Sequence, residues 1–472
     1  MGKYSKLGKN TFLLFIGSIG GKMITFIMLP FYTMWLSVKD YGVVDLLGVY
    51  VSFIVPLVAC CIAEAIFIFP KGLEKKEQSS YFSSGLFFAL CTFSLAAIIF
   101  GVTYAVLTRM GIENSFTNYT WVIFLMIFTS FIQSYVQQFA RSLDFVKVYA
   151  TSGILQTAAI ALFSFLLIPS FGVLGFIFAN SLSALLTASF SFVSIKAYNY
   201  IKIHTVSILK IREMLTYSIP LIPNVVMWWL IGALNRPIME HTLGTEAIGL
   251  FAVANKFPSI ITVCFGIFVS SWQMSVVEEF KKEGYGDFYN KILRIIFFVL
   301  TLISLLLGFF SEYILQIATD AKFADAKAYV PLLCIAVLLS SMSGMVGTNF
   351  TATRQSKYFF YSSVWGALAS VGLSFLLIPT WGLWGASLAI VLSHATMASA
   401  RIINSWKYAK IQSAQLYAMM LLINIALVIL LHFCSSILYR YLGFTILLSG
   451  FLIVNKDILA DLKSNLKYIR KK

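Results

Sequence analysis

A chain of 472 residues that is 59% hydrophobic and only 11% charged, with a formal net charge of +16, stands far from soluble globular usage, in which about 25% of residues are charged. This composition excludes a soluble enzyme or binding domain and specifies an all-α integral membrane protein. Apolar runs with few charges recur along almost the whole length, each sufficient to cross the roughly 30 Å hydrocarbon core as a helix.

In chain order the runs cover 11–36, 43–69, 81–107, 120–140, 148–168, 173–195, 214–234, 248–276, 292–310, 329–351, 358–378, 382–400, 414–436 and 441–455, about fourteen transmembrane helices. Lys3, Lys6 and Lys9 lead into a first run too long for a signal-peptide core, and no small-residue cleavage site ends it. The first helix is therefore expected to stay in the mature chain. All six cysteines fall inside these runs without CxxC spacing, which predicts buried small hydrophobes and neither disulfides nor a metal site.

Basic residues fix the expected orientation, because cytoplasmic loops retain Lys and Arg. Fourteen spans divide the connecting segments into two alternating sets. The set that includes both termini holds 27 of the 35 basic residues, among them Lys75, Lys291, Arg294, Arg401 and Lys456. Both termini are expected in the cytoplasm, with the C-terminal KYIRKK on the anionic inner leaflet. A nucleic-acid partner is excluded, since the basic residues are scattered over short segments and not gathered on one face.

The hexapeptide SFLLIP occurs at 164–169 and again at 374–379, and its continuation SFLLIPSFGVLG aligns with SFLLIPTWGLWG without a gap. Pro30, Leu36 and Gly42 recur as Pro237, Leu243 and Gly249, and KKE at 75–77 recurs at 281–283. Three anchors in one order predict an internal duplication. The organisation expected is a six-helix lobe over 1–200, a parallel second lobe over 207–407, two additional helices over 414–455 and a basic tail over 456–472. Parallel repeats related by an axis along the membrane normal belong to transporters that expose a central substrate to each side in turn.

A charge near the bilayer centre costs at least about 2.5 kcal/mol on insertion scales and therefore faces a cavity or a partner. Lys22 lies midway along the first run with Ser18 and Thr25 at helical spacing; it either pairs with Asp45 or Glu64 or lines a site for an anion. Lys256 lies on the stripe Asn255, Ser259, Thr262, Gly266, Ser270 and Gln273, beside the helix-breaking Pro258. Arg236 marks the end of the seventh run. The repeat register carries Lys22 to Trp229 and Lys256 to Val49, so these cations are not part of the duplicated scaffold.

Gln133 and Gln137 in the fourth run, and Thr348 in the tenth, extend the polar cavity lining, although glue between helices has the same pattern. Asp45, Glu64 and His394 are the candidates for Na⁺ or H⁺ coupling, His394 reading equally as a hydrogen-bonded helix contact. There is no GxxxxGK[ST], HExxH or GxSxG, so the chain is not read as an enzyme and no cofactor is expected.

The stretch KNTFLLFIGSIGGKMITFIMLPFYTMWLSVKDYGVVDLL and its partner LGTEAIGLFAVANKFPSI, set in parallel six-helix copies, resemble the polysaccharide flippases (O-antigen and capsule exporters, Wzx-type). These belong to the multidrug/oligosaccharidyl-lipid/polysaccharide exporter superfamily. The resemblance implies a V-shaped, two-lobed protein of the bacterial cytoplasmic membrane. It would move an undecaprenyl-diphosphate-linked oligosaccharide to the outer leaflet, with a polysaccharide polymerase and chain-length proteins as partners besides membrane lipid. The family's cationic cavity would map onto Lys22, Lys256 and Arg236. A lipid II flippase and a cation-coupled multidrug antiporter of the same superfamily are the nearest alternatives, and a membrane glycosyltransferase or polymerase is the alternative from another class.

Overall fold

The structure is a computed structural model that describes residues 26–460 apart from 281 and 354. Among the described residues all regular structure is helical. Ten helices are long and apolar enough to cross a membrane, or eleven when one bent pair is taken as a single span. The chain is thus a multi-pass membrane protein. Most of the first expected run lies outside the described residues, so fourteen spans are not all accounted for.

Contacts divide the chain into two compact units, one ending at Trp229 and the other starting at Leu230. The first begins with α1 (Leu29–Trp35) and α2 (Val38–Val58). Extended backbone at Leu36 separates them, and the Ser37 hydroxyl caps α2 by accepting the Asp40 N–H at 3.0 Å. The run expected as one helix over 43–69 is broken near its end. Pro56 removes a backbone donor, and Cys60 and Cys61, at φ 47° and 53°, turn the chain into the short α3 (Ile62–Ile68). These two cysteines therefore sit in a break between helices, and all six are free.

Next come α4 (Lys75–Arg109), α5 (Ser115–Ser142) and α6 (Val146–Ser194). A capping box starts α5: the Asn114 side chain accepts the Thr117 N–H while the Thr117 hydroxyl accepts the Asn114 N–H, both at 2.9 Å. The 49 residues of α6 are two arms. The chain doubles back at Gly172 (φ 53°, ψ −123°), beyond Pro169, and a Cβ on Gly175 would collide with the carbonyl oxygen of Leu167. Only a residue without a side chain fits either position. Tyr32 bridges the arms, its hydroxyl 3.1 Å from Ser164 Oγ and its ring edge-on to Phe176.

The segment that follows is fastened along the serines at the start of α4. Ser80 donates to the Thr205 carbonyl, Ser83 donates to the Tyr200 carbonyl and accepts the Lys202 N–H, and Ser84 accepts the Ser207 N–H, each at 2.9 Å. In α7 (Ile208–Ser218), Lys210 pairs with Glu77 at 3.0 Å and donates to the Tyr81 hydroxyl at 3.1 Å; Tyr81 in turn donates to Glu213 at 2.6 Å. These contacts hold α7 to the first unit. The boundary therefore falls inside α8 (Ile222–Gly232), later than the expected start of the second copy at 207.

The second unit continues with α9 (Asn235–Leu243), α10 (Thr245–Lys256), α11 (Pro258–Glu279), α12 (Tyr285–Phe309), α13 (Ser311–Ala318), α14 (Val330–Ala352), α15 (Ser356–Ser405), α16 (Ala414–Phe433) and α17 (Ile437–Val454). The duplication is visible in helix ends as well as in sequence. Val38 and Thr245 start α2 and α10, 207 residues apart; Val146 and Ser356 start α6 and α15, 210 apart; Ser142 and Ala352 end α5 and α14, also 210 apart. In α15 the chain doubles back at Gly382 (φ 56°, ψ −131°), and Gly385 lies against the Leu377 carbonyl as Gly175 does against Leu167.

The two helices beyond the repeat pack into the second unit. Ser304 of α12 donates to Asn424 of α16 at 2.7 Å, while Phe298 stacks on Phe451 and Phe309 on Phe444, both ring pairs 9° from parallel. A buried hydrogen bond and two stacked aromatic pairs make α16 and α17 part of this unit and not a loose appendage.

Candidate functional site

Ser18, Lys22 and Thr25 lie outside the described residues. In the first unit, Gln133 and Gln137 of α5 form a ladder with the first arm of α6. Gln133 and Gln156 exchange hydrogen bonds at 2.6 and 3.1 Å, and Gln137 donates to Ser152 at 2.9 Å. Gln133 is buried, so this seam joins two helices first, with Gln137 and Gln156 on its half-buried side. One turn further, Arg141 lies 4.3 Å from the Phe67 ring centroid and 4.9 Å from that of Tyr149, and donates to Gln138 at 3.0 Å. Gln138 donates to the exposed Glu64 at 3.5 Å; Asp45 is half-buried on α2.

In the second unit the expected break at Pro258 is present: α10 and α11 meet at Phe257 with a bend of 43°. Lys256 is the last residue of α10 and is half-buried. Its ammonium makes no ion pair or hydrogen bond among the described residues, whereas its neighbours on the stripe are occupied. Asn255 donates to the Phe251 carbonyl at 3.0 Å, and the Ser259 hydroxyl donates to the carbonyl of Lys256. Arg236 folds back on the end of α8, donating to the Gly232 carbonyl at 2.6 Å and to Asn235 at 3.0 Å, with its guanidinium over Phe251. Thr348, expected as cavity lining, is 2% exposed; it accepts from Trp272 Nε1 at 3.2 Å and donates to the Met345 carbonyl, a contact between α11 and α14.

The repeat register gives Lys22 and Lys256 a structural meaning. Their counterparts, Trp229 and Val49, touch: the Trp229 indole N–H donates to the Val49 carbonyl at 3.2 Å, and the same indole stacks on Phe53 at 4.2 Å. The two positions joined by this hydrogen bond are lysines in the opposite copies.

One charged centre was not anticipated. Arg401, counted above among the cytoplasmic loop residues, is fully buried near the end of α15. Its Nε donates to Ser362 Oγ at 3.0 Å, Nη1 to the Ser343 carbonyl at 3.0 Å and Nη2 to Ser363 Oγ at 3.2 Å, with Phe359 packed 4.0 Å from the guanidinium carbon. Hydrogen bonds from three directions and a ring face replace lost hydration, which a planar guanidinium accepts better than an ammonium would. Gly347 makes the room, because a Cβ there would lie 2.9 Å from Phe359 and 3.1 Å from Arg401. In the first unit the same register places Gln137 at the position of Gly347, Ser152 at that of Ser362 and Ser191 at that of Arg401. The available sequence signal was that apolar helix spacing continues past residue 400 as far as Ser405. His394, two turns before Arg401, buries Nδ1 without a hydrogen-bond partner among the described residues. Among those residues no three His, Cys, Asp or Glu side chains are placed to hold a metal ion.

The sequence pattern of a family described as "Polysaccharide biosynthesis protein" matches residues 7–272, more than half of the chain. The capsular polysaccharide biosynthesis protein CapF of Staphylococcus aureus is 25% identical over 208 residues, 42% of this chain and 51% of that protein, so the chain spans about half the length of this curated relative. The lipid II flippase MurJ in an inward closed conformation superposes with a TM-score of 0.69 at 13% identity, covering 96% of this chain and 99% of that one. An inward-facing multidrug resistance MATE family transporter of the MOP superfamily gives 0.66 at 14%, covering 83% and 94%. At such identities the two structures establish the fold alone. With the family pattern over both the first unit and the broken span carrying Lys256, the chain belongs to the polysaccharide biosynthesis protein family.

Proposed function

We propose that the chain is a flippase that carries an undecaprenyl-diphosphate-linked oligosaccharide from the cytoplasmic to the outer leaflet of the bacterial cytoplasmic membrane, by alternating access, with both termini in the cytoplasm. The observation that carries this reading is Lys256. A half-buried ammonium at a 43° break in a membrane span, without an ion pair or hydrogen bond among the described residues, is stabilised when an anion arrives. A diphosphate needs such a group, because its hydration is lost in the membrane and Coulomb attraction in low dielectric offsets part of that loss. Lys22, at the counterpart of Trp229 in the repeat, is proposed as a further cation for the same class of substrate. The polar side chains Gln137, Gln156 and Asn255 suit sugar hydroxyls, while the polyprenyl tail stays in lipid. Asp45, Glu64 and His394 remain the groups proposed for coupling to Na⁺ or H⁺.

The test is translocation in proteoliposomes containing the full chain and a fluorescent undecaprenyl-diphosphate oligosaccharide, read by loss of protection from an added membrane-impermeant quencher. Transfer above protein-free vesicles is expected. Transport of a lipophilic cation with no movement of the labelled lipid would replace this reading with that of a drug antiporter.

A further inference from the structure

In the first unit, a connector over 195–207 joins α6 to the span Ile208–Gly232, which contains α7 and α8. With a membrane span at each of its ends, the connector lies at a membrane surface. Lys196, at φ 53°, turns the chain out of α6, and two 3₁₀ turns follow, Ala197–Tyr200 and Ile203–Thr205. The carbonyls of Tyr200 and Thr205 and the N–H groups of Lys202 and Ser207 are bonded to Ser80, Ser83 and Ser84 of α4. One edge of the connector is thereby fixed and its backbone groups there are satisfied.

Its apolar side chains are not turned inward. Ile203 is 84% exposed, and Ile208 and Leu209 at the start of α7 are 82% and 71% exposed, all more than Ile98 in the span α4, at 64%. The charge of the same surface has one sign. From Phe145 to Arg212 the sequence contains no acid, while Lys196, Lys202, Lys210 and Arg212 fall in or next to the connector. The acids near it are Glu74 and Glu77 at the start of α4 and Glu213 of α7; Lys75 and Lys76 stand beside the first two in sequence, and Lys210 pairs with both Glu77 and Glu213. Lys196, Lys202 and Arg212 are left over: all three are exposed, and their side chains make no ion pair or hydrogen bond among the described residues.

We infer that this connector docks into the bilayer surface as an anionic-lipid anchor, with Ile203, Ile208 and Leu209 among the acyl chains and Lys196, Lys202 and Arg212 on anionic phospholipid headgroups. Exposed apolar side chains interleaved with excess cations at the end of a span match an anionic leaflet, which buries the first and pairs the second. On the orientation proposed above this is the inner leaflet. The anchor rests on the multi-pass fold and stands whether or not the flippase reading does.

The test places a photoreactive benzoylphenylalanine at Ile203 of the full chain, or at Ile98 as a control, and irradiates the protein in nanodiscs of equimolar phosphatidylglycerol and phosphatidylcholine. Lipid adducts are identified by mass spectrometry. Adducts at Ile203 are expected to favour phosphatidylglycerol by roughly fivefold or more, the effect of about one surface cation, whereas those at Ile98 should show no preference. The Lys196→Gln/Lys202→Gln/Arg212→Gln variant should lose the preference and keep the thermal unfolding of the wild type, because none of the three side chains is engaged in the fold. Salt at about 0.5 M should weaken the wild-type preference by screening. Absence of lipid adducts at Ile203, or adducts to another protein in their place in cell membranes, overturns the docking. Equal adducts with the two lipids, or a preference that the triple variant retains, overturns the assignment to anionic headgroups.

Discussion

The indole N–H of Trp229 donates to the carbonyl of Val49 at 3.2 Å, joining two positions whose counterparts in the internal repeat are Lys22 and Lys256. In the opposite copies these two positions are lysines. On the reading proposed above, the two lysines meet the negative charge of the substrate.

Lys22→Ala and Lys256→Ala are each expected to abolish surface polysaccharide in cells that depend on this protein, with unchanged amounts of the protein in the membrane. Lys256→Arg should retain most of the activity, because it keeps the charge. Quantitative surface-glycan staining with an immunoblot of membranes decides the matter: normal polysaccharide in both alanine variants would remove the basis for the cationic site.

Gly175→Ala and Gly385→Ala should both fail to give folded protein, and to similar degrees, because the neighbour in each case is a backbone carbonyl that cannot rotate away. Gly153→Ala has nothing within 4 Å and should express normally. Size-exclusion profiles of fluorescent fusions in mild detergent report the difference; a monodisperse Gly385→Ala peak of wild-type height would contradict the doubled-back geometry.

Gly347→Ala should destabilise the second unit by about 1–3 kcal/mol through collision with Phe359 and Arg401. Arg401→Met should cost a similar amount, since it leaves the Ser343 carbonyl without its donor. The double variant should cost less than the sum, because the two residues share one space. Thermal unfolding in detergent measures all three, and strict additivity would mean that the residues are not packed together.

Ser304 and Asn424 should be coupled by about 0.6–1.7 kcal/mol in a double-mutant cycle, the range for interhelical hydrogen bonds in membranes. Zero coupling would show that α16 is held by its aromatic contacts alone.

The positions of most of the described helices were legible in the sequence because bilayer thickness imposes a minimum apolar length, and because a duplication keeps its turn residues. SFLLIP followed by Gly appears twice since one backbone geometry, a glycine at φ 53° or 56° followed by a second glycine against a carbonyl, is needed twice. Pro258 likewise announced the break beside Lys256. Hydropathy could not show that the run over 43–69 is broken at Cys60 and Cys61, because left-handed backbone at a cysteine leaves no mark on composition.

The tertiary structure alone identified the glue between helices. Thr348 and Gln133 have the same polar character as Asn255, and only their neighbours show that the first two close helix contacts. Arg401 is the clearest case. Charge counting assigns it to a loop, yet Ser343, Ser362, Ser363 and Phe359 surround it in the interior. Length, apolarity and repeat register are properties of the chain, so the sequence by itself determined them. Whether a charge is solvated, paired or free for a ligand depends on residues brought together from distant positions, and that was decided only by the fold.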